Sequence, residues 1–292
     1  MLVSVIIPTF NRAAVLVDAI KSALDQSYPH KQIIVVDDGS TDSTKEIVDR
    51  FEDVEYIYQD NQRQAAARTA GLKLAKGDLI ATLDSDDVWN PDFLKKSVDC
   101  LMRHELDFVF SSWTARKDGG ILPSAWEISG HWRKYTNCPE GDWFLMSPEE
   151  SRDLFVRTCP APSSSLLVRK DSIVSDWNSD LLIADDWCFI LDMVIEKHCR
   201  AAFTLDRLWT KTIHSENIYD GRNRGEIASE LEIRDTRIMK KRHENNLTSG
   251  EKRILNKRIG RGHIVRALFF ARDKFGLRNP RRLFRSKLET AK

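Results

Sequence analysis

Two short runs, Val3-Ser4-Val5-Ile6-Ile7-Pro8 and Gln32-Ile33-Ile34-Val35-Val36-Asp37, narrow most sharply what this chain can become. Each is apolar on successive residues rather than alternate ones, so both faces of the strand need cover. That is the pattern of a parallel sheet with helices on either side. Between them Val15, Leu16, Ala19, Ile20, Ala23 and Leu24 recur at helical spacing, which predicts a helix over 13–26. The alternation continues with a helix over 43–51, a strand over 54–58, a helix over 62–76 and a strand over 79–83. Parallel strands joined by helices make right-handed crossovers and a doubly wound, mostly parallel α/β sheet.

The rest of the chain is less regular. The patterning predicts a helix over 91–104, a strand over 108–112, a strand over 164–168, a helix over 186–197 and a hairpin over 202–213. Residues 113–148 read as an irregular loop or lid carrying Trp113, Trp126, Trp132 and Trp143, rings that a ligand could stack on or a core could absorb. Beyond about residue 225 the chain reads as helical. No apolar run approaches the roughly 18–20 residues that cross a bilayer. The first residues read as a buried strand rather than a signal peptide. Five cysteines without a CxxC pair suit reduced thiols and a cytoplasmic setting.

The net charge of +1 conceals an asymmetry: residues 251–292 hold 14 Lys and Arg against 3 Asp and Glu. A basic helix bearing Ile254, Ile259, Ile264, Val265, Leu268 and Phe269 can lie on an anionic membrane surface, or dock on the protein with a solvated basic face. No nucleic-acid recognition motif accompanies the charge. These features divide the chain into a doubly wound domain over 1–220 and a basic helical extension over 221–292.

In doubly wound sheets ligands bind at the carboxyl ends of strands, and two acidic clusters fall there. Asp37-Asp38 follows the second strand, where an Asp can accept a hydrogen bond from a base or ribose or can close a turn. Asp84-Ser85-Asp86-Asp87 follows the strand over 79–83. Carboxylates so close repel one another unless a cation or donors compensate, and hard ions such as Mg²⁺ or Mn²⁺ take oxygen ligands shared with substrate phosphates. In extended backbone Asp84 and Asp86 point the same way. A polar turn ahead of the next helix is the plainer reading of the same residues.

The order of motifs goes further than any one of them. Ser4-Val5-Ile6-Ile7-Pro8-Thr9-Phe10-Asn11-Arg12, Val36-Asp37-Asp38-Gly39-Ser40-Thr41-Asp42, Ala67-Arg68 before Gly71, and Leu83-Asp84-Ser85-Asp86-Asp87 occur in sequence at expected strand ends. Together they resemble the family-2 glycosyltransferases of the GT-A fold over roughly residues 1–220. The resemblance implies transfer of a sugar from a nucleotide-diphosphate donor, a UDP-sugar being favoured, to a glycan or lipid-linked acceptor, with Mn²⁺ or Mg²⁺. Surface polysaccharide or lipid-linked glycan synthesis at the inner face of the cell membrane would be the setting. By the same resemblance Pro8, Thr9 and Phe10 line the nucleobase pocket, and Asp38 accepts a hydrogen bond from the base. Arg68 contacts the nucleotide, Asp84 and Ser85 face the ribose and sugar, and Asp86 ligates the metal, with Asp87 as its rival.

Ala184-Asp185-Asp186-Trp187 is similar to the family's Glu-Asp-Trp element, with Asp185 in place of Glu, which makes Asp186 the general base. One base suffices when a metal neutralises the leaving diphosphate, and inversion follows from a single displacement. First-turn carboxylates also complement a helix dipole. His214, in His214-Ser215-Glu216-Asn217, matches the family's HxxN element and is expected at the metal or diphosphate; Pro160–Ser165 falls on the acceptor side. A nucleotidyltransferase or dinucleotide dehydrogenase would need a Gly-rich loop after the first strand, which is absent. A catalytically silent nucleotide-sugar or membrane-binding module is the alternative from another class.

Overall fold

The computed structural model describes residues 1–275. The chain forms two compact units, Met1–Ser179 with Asp185–Ile213, and Asp180–Ala184 with His214 onward.

The first unit is built on one mixed sheet. Strand β1 (Val3–Thr9) lies between β2 (Lys31–Asp37) and β4 (Leu79–Thr82), parallel to both, and β3 (Val54–Tyr58) continues the sheet parallel to β2. Helices α1 (Ala13–Leu24), α2 (Thr44–Val48) and α3 (Arg63–Leu74) supply the crossovers. The continuous apolar runs have the expected cause. Ile6, Ile34, Val36 and Ile80 pack with Ala67 of α3, while Val5, Ile7 and Val35, which point the other way, are equally buried.

Helix α3 approaches so closely that a Cβ on Gly71 would lie 2.5 Å from Ile6 Cγ2. Gly71→Ala is therefore expected to destabilise the protein by about 1–3 kcal/mol, the range for overpacking. The readout is a lower urea midpoint at unchanged slope; an unchanged midpoint would mean that the contact yields without cost.

Beyond β4 the order is β10, β6, β11, β9, β8. Here β5 (Asp87–Trp89), β6 (Phe108–Lys117), β7 (Gly120–Leu122), β8 (Pro139–Glu140), β9 (Trp143–Met146), β10 (Leu166–Arg169) and β11 (Ala201–Thr212) make mostly antiparallel pairs, with β6 and β11 parallel. The expected hairpin over 202–213 is instead the single strand β11. Its register on β6 shifts between Thr204 and Trp209, so its first half pairs with β9 and its second with β5. The polar Asp206-Arg207 break is a bulge rather than a turn.

Three of the four tryptophans in 113–148 belong to the core. Trp113, Trp126 and Trp143 are at most 8% exposed, and Trp113 stacks on Trp209 with centroids 5.4 Å apart. They are not an acceptor platform; only Trp132 is half-buried. Helices α4 (Phe93–Arg103), α5 (Ala125–Ser129), α6 (Pro148–Arg157) and α7 (Asp185–Glu196) complete the unit.

The second unit is helical, with α8 (Arg224–Ile227), a π-helical stretch Ala228–Asp235, α9 (Thr236–Arg242) and α10 (Ser249–Phe275). Asn223 caps α8 through a reciprocal pair with Glu226. The buried Asp235 carboxylate accepts the N–H groups of Leu182, Ile183 and Ala184. Gly262 lets α10 close on the π-helical stretch, where a Cβ would meet Ile233 Cγ1 at 2.8 Å. Within α10, Leu255 is buried, Ile259 and Val265 half-buried, and Ile264 and Phe270 exposed. The part of the basic tail over 276–292 lies outside the described residues. Among the described residues no helix is long and apolar enough to cross a membrane.

Candidate active site

The loops after β1 and β2 are stitched together at the carboxyl edge of the sheet. Asp38 N–H donates to Thr9 O, Thr41 N–H to Asn11 Oδ1 and Ala13 N–H to Asp42. The two aspartates after β2 separate in role. Asp37 closes the turn, accepting from Ser40 N–H and the Tyr56 hydroxyl at 2.8 Å each. Asp38 is buried, and its Oδ1 accepts from Gln59 Nε2 at 2.6 Å and Gln62 N–H at 2.9 Å. Pro8 and Thr9 are buried and Phe10 is 45% exposed, so Phe10 offers an open aromatic ring at this edge. The Thr9 hydroxyl is buried without a hydrogen-bond partner.

The acidic cluster after β4 is a turn, closed by Asp87 N–H donating to Asp84 O at 3.0 Å. Asp84 and Asp86 are half-exposed, whereas Ser85 and Asp87 are buried. Burial first, then the charges of Asp84 and Asp86, push the Asp87 carboxyl well above the usual range. Its Oδ2 accepts from the Ser164 hydroxyl at 2.6 Å.

Arg68 joins this turn to the start of α7. It is 2% exposed; Nη2 donates to Asp84 Oδ1 at 2.6 Å, and Nη1 to Asp185 Oδ2. Gln64, one turn earlier on α3, holds the other Asp185 oxygen at 2.7 Å. Burial opposes the Arg68 charge, but the Asp84 and Asp185 carboxylates outweigh it and keep the guanidinium protonated. Both Nη groups are thus committed inside the protein, and Nε is buried without a partner. Arg68, the residue expected to contact the nucleotide, also forms a strut between two carboxylate elements.

Asp186 is half-buried beside that strut, its Oδ1 accepting from Trp187 N–H at 2.7 Å. Burial, then the Asp185 charge, push its carboxyl up to about 7, with Arg68 opposing and Asp84 adding to the rise. A carboxylate with that affinity for a proton is matched to base catalysis near neutrality. The turn after β4 and the start of α7 are therefore electrostatically coupled.

His214 opens the second unit. Its N–H donates to Asn217 Oδ1 at 2.7 Å, Nδ1 accepts from Glu216 N–H at 3.2 Å, and Nε2 lies 3.1 Å from Asn217 Nδ2. The His-x-x-Asn spacing thus folds the ring onto its own turn. Asp185, Gln64 and Ser164 are the residues that spacing alone did not assign. Ser164 lay inside a noted motif, but its partners depend on strand register.

Residues 4–139 match the model of glycosyl transferase family 2. A putative teichuronic acid biosynthesis glycosyltransferase, TuaG of Bacillus subtilis, is 38% identical over 41% of this chain and 49% of its own length. A UDP-Glc:alpha-D-GlcNAc-diphosphoundecaprenol beta-1,3-glucosyltransferase of Escherichia coli, WfaP, is 36% identical over 47% of this chain and 57% of its own. The matched stretch thus spans about half the length of these curated relatives. The mannosyltransferase PcManGT of Pyrobaculum calidifontis, solved with GDP-Man and Mn²⁺, superposes with a TM-score of 0.61 at 18% identity, over 99% of this chain and 80% of that one. The fold is that of the GT-A glycosyltransferases.

Proposed function

We propose, from the match of residues 4–139 to the model of glycosyl transferase family 2, that this chain transfers a sugar from a nucleotide-diphosphate donor to an acceptor hydroxyl with inversion. The observation that carries the proposal is the Arg68 strut. It ties Asp84, at the carboxyl end of β4, to Asp185, the neighbour of a carboxylate with a pKa of about 7. That contact supports reading the turn after β4 as the nucleotide side, and the start of α7 as the base side, of one site.

Pro8, Thr9, Phe10 and Asp38 form the nucleobase side, and Asp84 and Ser85 the ribose and sugar side. Asp186 accepts the proton of the acceptor hydroxyl as its oxygen attacks the anomeric carbon. Half-exposed carboxylates are an all-oxygen donor set that suits Mg²⁺ or Mn²⁺. Asp86 would hold the ion, which when bound neutralises the leaving diphosphate. The proposed metal role of His214 rests on the His-x-x-Asn spacing alone.

The printed name of the E. coli relative supports a UDP-sugar donor and a lipid-diphosphate-linked acceptor. Exposed Arg253, Lys257, Arg266 and Arg272 on α10, with exposed Ile264 and Phe270, support docking on an anionic membrane surface. Work on a lipid-linked glycan at the cytoplasmic face fits both.

Turnover should follow the protonation of Asp186. Below about 7 its carboxyl is protonated and cannot accept, so kcat/KM should rise about tenfold per pH unit and level off above. A pH–rate profile flat from 5 to 8 would contradict that assignment. Isothermal titration of UDP-glucose, run beside UDP release with a polyprenyl-diphosphate-linked sugar as acceptor, tests the function itself. Binding with release supports transfer; binding without release marks a silent module.

A further inference from the structure

The motif Pro160–Ser165 has no part in the function described so far, yet one residue of it reaches the carboxylate turn. Strand β10 runs antiparallel to β4 with Leu167 opposite Ala81, and the same register carried three residues on sets Ser164 opposite Asp84. The side chain exploits the position. Ser164 Oγ accepts Asp84 N–H at 3.0 Å and donates to Asp87 Oδ2 at 2.6 Å. One buried hydroxyl thus clips both ends of the Asp84–Asp87 turn.

The backbone around it is anchored as well. Trp89 Nε1 donates to Ser164 O at 2.7 Å, and Thr82 Oγ1 to Ser163 O at 2.8 Å. Ser164 itself is 0% exposed. A hydroxyl has one proton and two lone pairs; here the proton goes to Asp87 and a lone pair takes Asp84 N–H. The turn's own closure, Asp87 N–H to Asp84 O, lies inside this clip. Of the two residues between, Ser85 is buried and Asp86 is left half-exposed.

We infer that Ser164 is a positioning residue that sets the Asp84–Asp87 turn for a divalent cation, and that Asp87 is its tether rather than a ligand of the ion. This rests on the metal-binding reading above. The geometry separates the two candidate ligands. Asp87 is turned inward onto a hydroxyl, whereas Asp86 remains accessible. Partners that orient ligand-bearing groups govern metal affinity about as strongly as some ligands do, typically by about 10–100-fold.

The test is calorimetric binding of UDP with and without Mn²⁺ to wild type, Ser164→Ala, Asp87→Asn and Asp86→Ala, with thermal melts to confirm folding. In wild type, Mn²⁺ should tighten UDP binding. Ser164→Ala should lose about 10–100-fold of that gain while binding UDP alone as wild type does. Asp87→Asn, whose carboxamide oxygen still accepts the hydroxyl, should lose less than Ser164→Ala, and Asp86→Ala should lose the gain entirely. A Ser164→Ala protein that keeps the full gain, or weakens equally with and without Mn²⁺, overturns the clip. If Ser164→Ala does not fold, Asp87→Asn decides, since a loss as complete as that of Asp86→Ala makes Asp87 a ligand. No Mn²⁺ effect in wild type would sink the metal reading and the clip together, whereas a wild-type effect untouched in Ser164→Ala sinks the clip alone.

Discussion

Asp186→Asn is expected to lower kcat by about 10²–10⁴-fold, the contribution of a positioned general base. The substitution removes a proton acceptor and little else. The carboxamide oxygen can still take the Trp187 N–H that Asp186 Oδ1 takes now at 2.7 Å, so the start of α7 should keep its shape. The proposed donor residues are others, so the donor KM should stay within a factor of about two, because a group that acts only in the transition state lowers kcat and kcat/KM together. Steady-state kinetics against donor and acceptor reads both. A variant with full kcat and raised KM would make Asp186 a binding residue.

The second large effect is on stability. Arg68→Met should destabilise the protein by about 3–5 kcal/mol, the cost of leaving buried charge without its partner. Asp185 is 1% exposed and pairs with the Arg68 guanidinium through one oxygen, while Asp84 takes the other Nη. Methionine keeps much of the volume and none of the charge. Lysine keeps a charge but cannot reach both carboxylates as a fork does, so Arg68→Lys should fall between. Arg68 also holds the Asp186 carboxyl down, so in Arg68→Lys the rising limb of the pH–rate profile should lie at the wild-type pH or higher. Urea unfolding at pH 7 measures the first effect. Loss of less than about 1 kcal/mol, the scale of an exposed pair, would show that solvent compensates the carboxylates and that the strut is not what couples the two elements.

The parallel half of the sheet was legible because its evidence is local. A strand buried on both faces must be apolar on successive residues, and Ile6, Ile34 and Val36 satisfy that within their own runs. The mixed half was not legible. Whether β10 runs with or against β4 depends on pairs such as Leu167 with Ala81, far apart in the chain, and nothing in Leu166–Arg169 records it. The same limit hid Ser164, whose partners follow from that register. Arg68 was found as part of a motif, but its pairing with Asp84 and Asp185 was not. A lone Arg in an Ala-rich helix gives no sign that its partner Asp185 stands 117 residues on. The segment over 202–213 reads as a hairpin because a bulge and a hairpin both interrupt an apolar run with polar residues, and only the continuing pairs Trp209↔Trp113 and Thr210↔Thr114 tell them apart. The carboxylates themselves were visible from the start, since acidic residues crowded at strand ends are costly unless used.

One base and one leaving diphosphate imply one displacement, and the anomeric configuration of the product tests that claim most directly. With an α-linked donor such as UDP-glucose and an acceptor bearing a free sugar hydroxyl, the proton NMR spectrum of the first product formed should show a β-linkage. An α-linkage would require a second displacement or a different geometry of attack, and would contradict the assignment of Asp186 as the base of a single in-line transfer.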